Sequence, residues 1–361
     1  MRRSFCDLTL PELEALRPPV SSRHLLGLLH RVGRWPRSAQ NARGGPELGR
    51  AARAFVDEHL DLELPEIVHR GGSADSATKL LLRLADSATI EAVHMPRAVK
   101  NPRVTLCVSS QVGCAMGCTF CRTASMGLVR NLTATEIVGQ VLASVLALGP
   151  ADPGRISLVF MGMGEPLHNL DSVLRAVRIL CDEAGLGLSP QRITVSTAGL
   201  VSGIDALARA EVRPSLALSV NATTDEARLR TMPLTRRHGL AELRAALLRF
   251  PLRSHEKITL EYVLLEGEND RDEDAHRLAE FALGYRHVVN VIAWNAFPGV
   301  SFFTPSDARV EAFVQLLRER GCLVTVRRSR GRDVSGACGQ LATDSTRPRR
   351  RTLPLREGEL A

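Results

Sequence analysis

The 361-residue sequence predicts an α/β fold in which parallel strands alternate with crossover helices, preceded by a helical segment and a short β-hairpin. Three observations carry this. The first ~70 residues hold apolar residues at helical spacing, broken by Pro and Gly. Two short alternating runs then flank Asp86-Ser87. From Val104 onward, short β-rich runs alternate with longer helical ones.

In chain order, LTLPELEALR, SRHLLGLLHRV and ELGRAARAFVDEHL read as the opening helices, and TKLLLRLA and TIEAVHMP as the hairpin. The strands that follow are VTLCVS (104–109), ISLVFM (156–161), ITVST (193–197), SLALSV (215–220), ITLEYVLL (258–265) and VVNVIAW (288–294). Between them lie helical stretches at Ala134–Leu148, Leu170–Ala184, Ser202–Ala210, Thr224–Met232 with Leu240–Phe250, and Asp270–Leu283. A last helix, Ser306–Arg320, leads into a seventh strand, LVTVRR (323–328). Six such repeats are too few to close an eight-fold barrel, so a partial barrel or an open sheet is expected, with ligands at the carboxyl ends of the strands. The stretch after Ala342 has charges, prolines and no periodicity, and reads as a disordered basic tail (344–361).

Composition narrows the class. Hydrophobic content of 44% and charged content of 24% are ordinary for a globular chain. No apolar run approaches the roughly 18 residues of a membrane helix, and the basic start has neither an apolar core nor a cleavage site. A cytoplasmic protein without membrane contact is expected. The net charge of +8 favours a polyanionic partner such as RNA, although almost all of it is Arg; Lys79, Lys100 and Lys257 are the lysines. An aromatic content of 4% argues against a platform that stacks many single-stranded bases.

Of eight cysteines, four fall between Cys107 and Cys121. Clustered cysteines in an intracellular chain point to metal or catalysis rather than to disulfides. Cys114, Cys118 and Cys121 form a C-x3-C-x2-C run on a loop of small residues just past the first barrel strand. Three thiolates hold three irons of a 4Fe–4S cluster and leave the fourth open to the amine and carboxylate of S-adenosylmethionine (SAM). Structural zinc wants a fourth ligand, and no Cys or His lies near enough in sequence to supply it.

This run is the signature of the radical SAM superfamily. The wider motifs TLCVSSQVGCAMGCTFC, RNLTATEIVGQV, VFMGMGEPL, ITVSTAG, EYVLL and RRSRGRDVSGACGQLA, spread over residues 88–343, resemble the RlmN/Cfr family of adenine-C methyltransferases. The resemblance implies a (β/α)6 partial barrel over 101–343, a helical accessory domain over 1–75 that binds RNA, and a hairpin linker over 76–100. It further implies methylation of an adenine carbon, C2 in 23S ribosomal RNA with transfer RNA as a second target, by a monomer that draws electrons from a flavodoxin or ferredoxin.

It also gives the remaining cysteines a purpose. Cys338 takes a methyl group from one SAM, and a radical made from a second SAM removes a hydrogen from it. The resulting methylene adds to the adenine, and Cys107 attacks Cys338 to release the product through a transient disulfide. Glu91 is implied as the proton acceptor. On position alone, Cys107 reads as core, Glu91 as a solvent-facing strand residue, and Cys338, among Gly336, Ala337 and Gly339, as an accessible thiol. Cys6 at a frayed terminus, Cys181 and Cys322 read as structural.

Gly164 and Glu165, in the MGMGEP turn, are implied to hold the amino group of SAM. Ser196, Ser219, Val220, Asn221 and Asn295 are implied as its other contacts, although each alone reads as a cap or turn residue. The chain departs from the family at Asn221, where His is common, at IAWNAFPG, and at RTASMG after Cys121. Rival functions are C8 methylation, a radical activase acting on a protein, and an iron–sulfur RNA-binding sensor.

Overall fold

A computed structural model describes residues 2–32, 48–97, 103–148, 155–327 and 329–343. The opening segment is helical, with α1 (Leu10–Ala15), α2 (Ser22–Gly27) and α3 (Arg50–His59). Two-residue strands β1 (Arg3–Ser4) and β2 (Leu60–Asp61) pair in parallel and tie its ends together. The Thr9 N–H donates to Glu12 Oε2 at 2.9 Å, the capping box that starts α1. Cys6 is fully buried rather than frayed, because the segment is docked on the main body. Arg175 there donates to Asp7 at 2.7 Å and to Glu12 at 2.9 Å.

The expected two-stranded hairpin is three-stranded: β3 (Glu66–Gly72), β4 (Thr78–Arg83) and β5 (Thr89–Arg97), all antiparallel. The sequence EIVHRGG hides β3, because a register shift between Ile67 and His69 breaks the alternation that betrays a strand.

β5 pairs with β6 (Arg103–Cys107), and from β6 the sheet becomes parallel. A small hairpin, β7 (Gln111–Gly113) and β8 (Leu128–Asn131), precedes α4 (Ala134–Leu148). The alternation then runs β9 (Ile156–Phe160), α5 (Leu170–Cys181), β10 (Ile193–Thr197), α6 (Val201–Ala208) and β11 (Ser215–Ser219). It continues with α7 (Asp225–Thr231), α8 (Leu240–Arg249), β12 (Ile258–Leu264), α9 (Asp272–Phe281), β13 (His287–Ala293), α10 (Asp307–Glu319) and β14 (Val324–Arg327). The sheet order is β14-β13-β12-β11-β10-β9-β6-β5-β4-β3. Every expected parallel strand and crossover helix is present. The disordered-tail expectation for 344–361 lies outside the described residues.

The sheet is strongly curled. Thr105, Ser157, Thr194, Thr259, Asn290 and Thr325, each from a different strand, line one cavity. Arg327 at the end of β14 reaches Met161, just past β9, at 3.3 Å. Five strand spacings separate these strands, about 24 Å in a flat sheet, far more than an arginine spans. Among the described residues β14 and β3 do not pair, so the curl is open. No helix among the described residues is long and apolar enough to cross a membrane.

Candidate active site

The three cysteines of the run sit on a loop that the β7–β8 hairpin pinches shut. Gly113 has φ 76°, and a Cβ there would meet Gly127 O at 1.8 Å, so only glycine closes this base. Cys114 N–H donates to Gly127 O at 2.9 Å. The loop is then fastened from three sides. Thr119 N–H donates to Thr231 O on α7 at 2.9 Å, Trp294 Nε1 to Phe120 O at 3.1 Å, and Arg122 N–H to Gly339 O at 2.7 Å.

Cys114, Cys118 and Cys121 all line one cavity at the carboxyl ends of the parallel strands. Burial pushes their thiols up, Cys114 to about 12, and for Cys118 the neighbouring Cys121 and Cys114 add to it. Three soft donors held together against their own charge fit an iron–sulfur cluster, which takes them as thiolates. Among the described residues no three His, Cys, Asp or Glu side chains converge to hold a metal ion. Three thiols spread around one cavity would suit a group of several irons rather than a single ion.

The MGMGEP turn lies against the strand that feeds this loop. A Cβ on Gly162 would meet Val108 O at 2.6 Å, and one on Gly164 (φ 103°) would meet Gln111 Cβ at 2.6 Å. Glu165 is buried: Oε2 accepts from Ala198 N–H at 2.7 Å and Oε1 from Leu167 N–H at 3.0 Å. Burial pushes its carboxyl up to about 7. It lines the cavity, as do Gly164, Ser196, Ser219, Asn221 and Asn295. Asn295 Nδ2 donates to Cys338 O at 3.1 Å, while its buried Oδ1 has no partner among the described residues. An ammonium for Glu165 and a donor for Asn295 are what the amino-acid end of SAM and its ribose hydroxyls supply.

Asn221 adopts φ 54°, a conformation Asn tolerates, and its Oδ1 accepts from Val263 N–H at 2.9 Å. This bond across to β12 accounts for its burial. Val220 is buried and does not line the cavity.

Cys338 lines this cavity and also a second one of about 450 Å³, inside the curl, which Cys107 lines too. Met161, Glu261 and Arg327 are shared walls. Burial pushes the Cys107 thiol up to about 12, Cys338 adds to this, and Arg327 opposes it. The strand cysteine expected in the core therefore has a thiol neighbour and a cation beside it. Glu91 is buried rather than solvent-facing, because Lys79 lies 3.0 Å from its Oε1 and Ala342 N–H donates to its Oε2 at 2.9 Å. It lines neither cavity; it touches the chain just past Cys338. Burial raises its pKa, and Lys79 opposes the rise. Cys6, Cys181 and Cys322 line neither cavity.

Lys79 and Arg327 are the site residues that the sequence leaves unmarked by any motif. Lys79 carries a faint signal, as one of three lysines in an arginine-rich chain. A single arginine in a strand carries none.

Residues 108–279 match the Radical SAM superfamily, the class that a curled parallel sheet with a cysteine loop at its carboxyl edge defines. A dual-specificity RNA methyltransferase RlmN from Syntrophobacter fumaroxidans is 42% identical over 342 residues, covering 94% of this chain and 97% of that one. Another RlmN, from Syntrophotalea carbinolica, is 48% identical over 74% of this chain and 70% of its own length. The crystal structure of a radical SAM methyltransferase from Sphaerobacter thermophilus superposes with a TM-score of 0.83 at 40% identity, covering 94% of this chain and 99% of that one. The chain belongs to the RlmN family of radical SAM methyltransferases, which use a 4Fe–4S cluster and SAM.

Proposed function

We propose that this protein is an RNA methyltransferase that installs a methyl group on C2 of an adenine in 23S ribosomal RNA and in a transfer RNA, working in the cytoplasm as a monomer with a flavodoxin or ferredoxin as electron donor. The dual-specificity name of its relatives supports two RNA targets. The observation that carries the reading is the pair Cys107 and Cys338, outside the cysteine run, on the wall of one cavity with Arg327. A superfamily member that only makes a radical has no use for such a pair.

On this reading Cys114, Cys118 and Cys121 hold the cluster, which supplies the electron that splits the sulfonium of SAM. Gly164, Glu165, Ser196, Ser219, Asn221 and Asn295 orient SAM. Cys338 carries the incoming carbon, because an amidine carbon is too poor a nucleophile to take a methyl directly. Its seat between the two cavities suits a thiol that meets SAM on one side and Cys107 on the other. Glu91, held by Lys79, takes the proton from the ring carbon. Cys107, as a thiolate that the Arg327 cation favours, then attacks the Cys338 sulfur: the sulfur–sulfur bond forms as the sulfur–carbon bond breaks, and the departing carbon keeps the electron pair and takes up a proton to leave as the methyl group of the base.

Mass spectrometry of RNA digested from cells with and without the gene tests this. The expected product is 2-methyladenosine; 8-methyladenosine would move the site to C8, and neither would refute the RNA reading. Cys338→Ala should abolish RNA methylation and retain reductive cleavage of SAM.

A further inference from the structure

Arg228 on α7 is completely buried. Among the described residues its guanidinium donates only to neutral acceptors: Nε to Val220 O at 3.0 Å, Nη1 to Thr235 Oγ1 at 3.0 Å, and Nη2 to Ser219 O at 3.2 Å and to Ala198 O. Among the described residues no carboxylate bonds to it; Asp225 on the same helix favours its charge without touching it and accepts from Leu240 N–H at 2.7 Å. A buried cation without a bonded anion is costly, and proteins retain one when something compensates it.

Its surroundings say what. The carbonyls it holds end β10 and β11, where Ser196, Ser219 and Asn221 face the cavity. Ala198 is gripped at both ends of its peptide neighbourhood: its N–H donates to Glu165 Oε2 and its C=O accepts from Arg228. Three residues on, Thr231 O receives the N–H of Thr119, between Cys118 and Cys121. One short helix thus grips both the strand ends and the cysteine loop. Ala198 and Ser219, whose carbonyls the guanidinium holds, line the same cavity as Cys114, Cys118 and Cys121.

We infer that Arg228 is a positioning residue whose fixed cation offsets the negative charge of a cluster on Cys114, Cys118 and Cys121, raising its reduction potential, while its carbonyl contacts orient Glu165 for the ammonium of SAM. This rests on the proposed role of the three cysteines. Net charge near a cluster is one of the levers that set its potential. Arg228→Gln removes the cation, Arg228→Lys keeps it, and Thr235→Asp keeps the guanidinium but supplies the missing carboxylate at Nη1.

The test is potentiometric titration of the reconstituted full-length protein, followed by electron paramagnetic resonance, with iron content and SAM affinity measured alongside. At full iron content, Arg228→Gln and Thr235→Asp should each move the reduction equilibrium about tenfold toward the oxidised form, about 59 mV for one electron. Arg228→Gln should also weaken SAM binding about fivefold, the scale of a lost hydrogen bond. Arg228→Lys should retain the wild-type potential. Unchanged potentials in Arg228→Gln and Thr235→Asp overturn the inference. If Arg228→Gln does not fold, Thr235→Asp decides alone. Cys118→Ala separates the two readings: a wild-type cluster signal there refutes the ligand assignment, whatever Arg228 does.

Discussion

Glu165 faces the cavity as a buried carboxyl held by the backbone N–H groups of Ala198 and Leu167 and by the Thr197 side chain, with no cation bonded to it among the described residues. Burial raises its pKa to about 7, so below that pH it is largely neutral, and an ammonium ligand must first drive its ionisation. The sign follows. Affinity for SAM should be full above pH 7 and fall about tenfold for each pH unit below it, as one proton competes with the ligand. Calorimetry in buffers of different ionisation enthalpy would register the released proton, and Glu165→Gln should flatten the dependence. Lys79 gives a second case. Removing it as Lys79→Met leaves Glu91 buried without its cation and raises its pKa further. On the proposed role of Glu91, RNA methylation in single turnover should drop at least about tenfold at pH 7, equal to 1.4 kcal/mol. It should recover partly as the pH rises, because the neutral acid regains its charge. SAM cleavage should not change.

The elements divide sharply in how far the sequence disclosed them. The parallel strands announced themselves as short apolar runs between long amphipathic ones, and the cysteine loop by its spacing. β3 did not, since half-exposed edge residues and a bulge leave no period to read. The environment of Glu91 was equally hidden, because its partners come from β4 and from residue 342, far apart in sequence. The β3–β4 turn has a use that no local pattern reveals: it clasps the segment leading to Cys338. Ser73 Oγ donates to Asp333 Oδ1 at 2.5 Å and Ala74 N–H to Asp333 Oδ2 at 3.0 Å. In return, Gly331 N–H donates to Asp75 Oδ2 at 2.8 Å, and Arg330 donates to Asp75 O. Asp75→Ala should loosen this clasp and slow formation of methylated Cys338 about tenfold, the scale of one charge-assisted hydrogen bond. Mass spectrometry of the purified protein would read the methylated fraction, while iron content and SAM cleavage should stay as in the wild type.

For the whole molecule, the curled sheet has two ends with different duties. Every candidate active-site group lies at or beyond the carboxyl ends of the strands or on the hairpin beside them, as the architecture requires of a site built from strand-end loops. At the opposite end, Arg213 before β11 and Glu256 before β12 form a two-pronged ion pair, at 3.2 Å and 2.7 Å, with both side chains less than a tenth exposed. Arg213 also stacks 4.8 Å from the Phe250 ring centroid. The pair joins two neighbouring strands where no candidate site residue lies, so it should carry stability alone. Glu256→Ala strands the arginine in a buried site and should cost about 3–5 kcal/mol. Urea unfolding should show this as a lower midpoint at unchanged slope, since the surface exposed on unfolding is the same. Replacing both partners, as Arg213→Met with Glu256→Leu, should recover most of the loss, because two apolar side chains need no counter-charge. The folded fraction of either variant should keep the wild-type cluster signal and the wild-type pH dependence of SAM binding. A single variant that lost the cluster signal while still folded would show that the two ends are coupled, and that the sheet transmits what the strand ends do.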